Sequence, residues 1–129
     1  MRLFAIVALL AALLVAAGAQ AAKHKVDSGI RGEATAGPTC PVERYPPDPQ
    51  CRDRPYQATV KVRRKRTGEP VKTFTAHQDG TFKVRLRPGT YTLKPQPGKN
   101  GFPHARDQNV KVQAHTFAHV HIEYDTGIR

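Results

Sequence analysis

From Ile30 to Tyr124 the apolar residues of this chain recur at every second position, and no stretch there keeps helical spacing over two turns. Successive side chains of a β-strand point to opposite faces, so this alternation describes strands with one face buried and the other in water. The clearest case is Phe82, Val84 and Leu86 set against Lys83, Arg85 and Arg87, closed by Pro88-Gly89. Ile30, Gly32, Ala34 and Ala36 alternate with Arg31, Glu33 and Thr35 and stop at Gly37-Pro38; Ala58, Val60 and Val62 alternate with Thr59, Lys61 and Arg63 and stop at Thr67-Gly68-Glu69-Pro70. Val71 to Ala76, Tyr91 with Leu93, Val110 with Val112, and Ala118 to Tyr124 supply four more. Seven short strands punctuated by turn residues predict an all-β fold, a seven-stranded antiparallel β-sandwich.

The N-terminus reads differently. Arg2, the apolar run from Leu3 to Ala17, and Ala19-Gln20-Ala21 have the order of an export signal with a small-residue cleavage site. The run is shorter than the roughly 20 residues that span a bilayer, so a cleaved signal helix over 1–21 is expected rather than an anchor. Residues 22–29 then read as a mobile N-terminal arm and 30–129 as the sandwich domain. A secreted or periplasmic location follows, and with it an oxidising compartment.

In that compartment two cysteines, Cys40 and Cys51, are expected to form one disulfide. Closing a loop of about 12 residues removes unfolded-state entropy worth roughly 3 kcal/mol in the chain-entropy model. A chain with no Trp has a thin core, and such a constraint suits it.

The segments Pro55-Tyr56-Gln57-Ala58-Thr59-Val60-Lys61-Val62, Gln78-Asp79-Gly80-Thr81-Phe82 and Leu86-Arg87-Pro88-Gly89-Thr90-Tyr91-Thr92-Leu93 resemble the carboxypeptidase regulatory-like group of transthyretin-like sandwiches. Val110-Lys111-Val112 and Val120-His121-Ile122 are similar to the last two strands of that group. Gly37-Pro38-Thr39-Cys40-Pro41-Val42 and the Asp125 to Arg129 ending are similar to small secreted bacterial members. Where members carry a Thr-Asp pair before the turn, this chain has Ala76-His77. The resemblance implies a non-catalytic binding or accessory module and names no ligand.

Catalytic chemistry finds little support in the residues. Beyond the signal the chain has one serine, Ser28, placed in the expected arm where no base is held against it. Asp125-Thr126-Gly127 matches the aspartic-protease tripeptide, but only Ile128 and Arg129 follow, so a C-terminal turn is the simpler reading. The expectation is therefore no enzyme.

Two binding chemistries remain. His115, Phe117, His119 and His121 share parity, and His119 with His121 would sit about 7 Å apart on one strand face, a spacing that suits copper or zinc. This makes a periplasmic metal-binding protein the alternative function. Ala22-Lys23-His24 at a free N-terminus would offer a second, square-planar site for copper or nickel.

The stronger pattern is charge. The net charge is +11, and loss of Arg2 with the signal lowers it to +10, above the magnitude of about 2–8 that suffices for solubility. Lys61, Arg63, Arg64, Lys65 and Arg66 cluster at the end of one strand, a field that attracts anions. The charge reads either as a solvated, solubilising surface or as a site for a partner, for which an anionic envelope glycan, a lipid head group or an acidic protein is the candidate. Nucleic acid is disfavoured, because no aromatic array is interleaved with the cations.

Overall fold

The computed structural model describes residues 25–42 and 44–129; the expected signal segment and the Ala22-Lys23-His24 site lie outside the described residues. Among the described residues there are eight strands: β1 (Gly29–Gly37), β2 (Arg54–Pro55), β3 (Thr59–Arg64), β4 (Pro70–Thr75), β5 (Thr81–Arg85), β6 (Gly89–Pro95), β7 (Gln108–Val112) and β8 (Phe117–Asp125). Besides these there are two short 3-10 turns, Pro49–Cys51 and Lys99–Gly101. Each predicted strand falls within one or two residues of an observed one. The eighth, β2, is a two-residue pairing of Thr35 with Pro55 and Ala36 with Arg54. It is too short to leave a periodic trace.

Two four-stranded sheets pack face to face. The first has β1 at its centre, with β8 on one side and both β5 and β2 on the other; the second runs β4-β3-β6-β7. The expectation of a wholly antiparallel sandwich is corrected at one pair. β1 and β8 run parallel over nine residue pairs, from Gly29 with Phe117 to Gly37 with Asp125. Parallel neighbours need a long connection between them, and here the connection is the rest of the domain. The approach is close at Gly32, where a Cβ would run into the carbonyl of Val120.

Alternation decides the core. Ile30, Ala34, Phe82, Val84, Val120 and Ile122 of the first sheet face Val60, Val62, Tyr91, Leu93 and Val112 of the second, all buried. Each such aliphatic side chain contributes about 1.5–3 kcal/mol on burial. Phe74 and Phe82 meet at 5.0 Å between ring centroids, and Tyr56 and Tyr124 at 4.5 Å. The Tyr91 hydroxyl donates to the carbonyl of Arg87 at 2.6 Å, tying the β5–β6 turn to the core as tyrosine corners do in Greek-key sandwiches. In the turn before β5, Asp79 accepts from the backbone N–H and hydroxyl of Thr81, and Gly80 takes φ +81.

Residues 25–29, expected as the end of a mobile arm, are docked instead. Ser28 is 1% exposed and its hydroxyl donates to the Leu86 carbonyl at 2.6 Å, while Gly29 already belongs to β1. Arg85 donates to the Val26 carbonyl at 2.6 Å, and Asp27 pairs with His115 in the turn before β8. The polar composition of the segment concealed this, because the bonds that hold it run to residues some 58 to 88 positions away.

The Asp27–His115 contact makes the docking pH-dependent. The hydrogen bond to Asp27 raises the His115 pKa above the ordinary 6.5, and the same bond lowers that of Asp27 below 3.8. A raised imidazole stabilises the docked form below pH 6.5 and loses that effect as pH climbs through its folded value; a lowered carboxylate does so above 3.8 and loses it on acidification. The contact is therefore fully present from about pH 4 to 6.5. Following the His115 ring by NMR, Asp27→Asn is expected to move its titration midpoint down toward 6.5; an unmoved midpoint would mean the pair does not form.

Candidate functional site

The β3–β4 hairpin carries the basic cluster. Val60 and Val62 are buried, so the pleat sends Lys61 and Arg63 to the opposite, outer face of the second sheet. The register shifts between Val62 and Arg63, where Arg63 comes to pair with Pro70. Arg64 lies on the core side of the pleat, and its guanidinium stands 5.9 Å from the centroid of the Tyr91 ring. The turn is closed by Arg64 N–H to the Glu69 carbonyl at 2.9 Å and Gly68 N–H to the Arg64 carbonyl at 2.8 Å, which leaves Lys65 and Arg66 exposed at its tip. The five cations are thus divided: Lys61 and Arg63 on a sheet face, Arg64 capping the core, Lys65 and Arg66 on a rigid turn.

None of the five forms a salt bridge among the described residues. Lys61 stands directly opposite Lys94 in the β3–β6 ladder. Thr90 of β6 stands opposite Lys111 of β7, and Lys65 donates its backbone N–H to Thr90. Lys94 and Lys111 were not part of the basic cluster read from the sequence. Alternation around Leu93 and Val112 sends both outward, but nothing local says that β6 and β7 lie beside β3. Asp107 approaches this face, its carboxylate 3.6 Å from Lys94.

The outer face of the first sheet is balanced by comparison. There Arg31, Lys83 and Arg85 stand among Glu33, Glu123, His119 and His121, and Lys83 lies 4.5 Å from the centroid of the Phe117 ring. His119 and His121 do share this exposed face, as their parity predicted. His119 Nε2 is 3.9 Å from Glu33, while His121 has Thr35 Oγ1 at 3.0 Å from its Nε2 and Glu123 at 3.4 Å from its Nδ1. His115 leaves the row, because it sits in the turn at φ +61. Among the described residues no three His, Cys, Asp or Glu side chains are grouped to hold one metal ion.

The remaining candidates have structural roles. Cys40 and Cys51 are bonded, with Cα atoms 5.2 Å apart. Asp125 accepts from the Gly127 N–H at 2.8 Å and pairs with Arg129 at 2.9 Å. The Arg129 guanidinium, then the Gly127 N–H, pull its pKa down to about 2, so Asp125 is ionised at neutral pH and anchors the C-terminal turn. Ser28 Oγ is spent on Leu86. No helix among the described residues is long and apolar enough to cross a membrane.

No family model matches the chain, and no curated protein matches it. A solved structure, that of the Bacillus anthracis TIE protein, is similar over 77% of this chain at a TM-score of 0.52 and 18% sequence identity. The likeness is one of fold. The match occupies 17% of that longer chain, so it says nothing of what the whole protein does.

Proposed function

We propose that this is an exported, non-enzymatic binding module of the cell envelope, a transthyretin-like sandwich of the carboxypeptidase regulatory-like kind whose basic surface holds an anionic partner. The supporting observation is the set of five cations, Lys61 and Arg63 to Arg66, raised on a hydrogen-bonded hairpin with no salt bridge to any described carboxylate. Cations left unpaired on a rigid platform keep their field for a ligand. Export is supported by the N-terminal sequence and by the disulfide, which persists in oxidising compartments.

The test is retention on immobilised dextran sulfate under a salt gradient. Changing Arg63, Arg64, Lys65 and Arg66 to Gln is expected to lower the eluting salt well below that of wild type. A control with the exposed Arg31, Arg52, Arg54 and Lys99 changed to Gln removes the same charge elsewhere and should elute near wild type. Surface electrostatics are screened over about 8 Å at physiological salt, so only local cations distinguish the two. Equal elution of the two variants would show that net charge alone is read and would remove the site.

A further inference from the structure

We infer that the anionic partner is an extended acidic polysaccharide that lies across the outer face of the β4-β3-β6-β7 sheet, bridging Lys61 and Arg63 on β3 to Lys94 on β6 and Lys111 on β7. The inference rests on the proposed anion-binding reading and extends it from the hairpin to the whole sheet face.

Like charges held directly opposite one another in a ladder destabilise a sheet, and Lys61 and Lys94 are so placed, with Cβ atoms about 5 Å apart. Asp107 offsets Lys94 in part from the margin of the sheet, and Lys61 forms no salt bridge among the described residues. A bound polyanion would relieve this repulsion. Arg63 points the same way: its Nε is buried without a hydrogen-bond partner, an unmet donor in a side chain that makes no ion pair among the described residues. An oxyanion that draws the guanidinium outward would satisfy it.

Between the cations the face carries neutral hydrogen-bonding groups. Thr92 stands opposite Arg63 on one side and Asn109 on the other, donating its hydroxyl to the Asn109 side-chain oxygen at 2.8 Å. Thr90 stands beside Lys111. Lys94 and Thr90 are four residues apart on β6, so the Lys61–Lys94 row and the Thr90–Lys111 row lie about 13 Å apart, with the Arg63–Thr92–Asn109 row between them. Carboxylates or sulfates separated by hydroxyl-bearing sugar rings match this alternation of cation and hydroxyl. A bilayer matches it less well, because the one exposed large apolar side chain on this sheet is the edge residue Val71, which leaves little to insert. Single-stranded nucleic acid would need aromatic platforms, and the inward pleat of Tyr91 and Phe74 leaves this face without them.

The test is to measure binding of the full chain to polygalacturonate and to vesicles containing phosphatidylglycerol. Lys94→Gln with Lys111→Gln, which leaves the hairpin cluster intact, is expected to weaken polygalacturonate binding about tenfold, the loss of two solvent-exposed ion pairs. Arg31→Gln with Arg52→Gln, equal in charge, should stay within about twofold of wild type. Thr92→Val, which keeps the branched shape and removes the hydroxyl, should weaken polygalacturonate binding severalfold. If the Lys94/Lys111 variant binds like wild type while the hairpin variant loses binding, the partner sits on the hairpin alone; the inference fails and the proposed site stands. If neither variant loses binding, both fail. Binding to the vesicles that polygalacturonate does not displace would identify a lipid surface and overturn the polysaccharide.

Discussion

Tyr91→Ala is expected to destabilise the domain by about 3–5 kcal/mol, the range for removing a buried aromatic ring. Tyr91 is 1% exposed and lies on β6, an interior strand of its sheet between β3 and β7. Its ring fills the end of the core beneath the Arg64 guanidinium, and its hydroxyl holds the Arg87 carbonyl at the β5–β6 turn. Truncation therefore opens a cavity, orphans that carbonyl and frees the turn at once. Tyr91→Phe separates these effects, since it keeps the ring and should cost only about 0.5–1.5 kcal/mol, the worth of one hydrogen bond. Urea unfolding measures both. A domain of this size has about 5–15 kcal/mol in total, so the Ala variant should lose a large share of its stability. A loss below about 1 kcal/mol for Tyr91→Ala would contradict the core described here.

Replacing both Cys40 and Cys51 with Ser should cost about 3 kcal/mol. The bond spans 11 positions and closes the segment that leaves β1 at Gly37 and returns at β2. Burial does little to hold this segment: Val42 is 67% exposed and Tyr45 98%. Pairing does little either, since β2 contributes two residues to the sheet. Among the described residues the crosslink is joined by Thr39 donating to the Arg52 carbonyl at 3.3 Å and by Thr126 donating to the Pro38 carbonyl at 2.6 Å. Prolines 41, 46, 47 and 49 already restrict the unfolded loop, so the measured loss should fall at or somewhat below the chain-entropy figure. Equal unfolding midpoints for the Ser variant and oxidised wild type would show that the loop is held by other means.

Alternation alone determined the faces of the strands. Val60, Val62, Phe82, Val84, Val120 and Ile122 were legible as core, and Lys61 and Arg63 as outward, because the pleat relates each residue to its neighbours two positions away. The disulfide followed from composition, with two cysteines and one connectivity. The Asp79-Gly80 turn followed from local chemistry, an Asx bond to Thr81 and a residue that tolerates positive φ.

Which strands are neighbours was a different matter. The parallel union of β1 with β8, the docking of Ser28 beneath Leu86, and the opposition of Lys61 to Lys94 join residues 33 to 88 positions apart. Such contacts form only when strands far apart in the chain pair within a sheet, and no local pattern encodes them. For the same reason the hairpin cations could be read as a run, whereas the wider basic face could not. Lys94 and Lys111 join Lys61 because β6 lies between β3 and β7, an order set by the packing of the core beneath them.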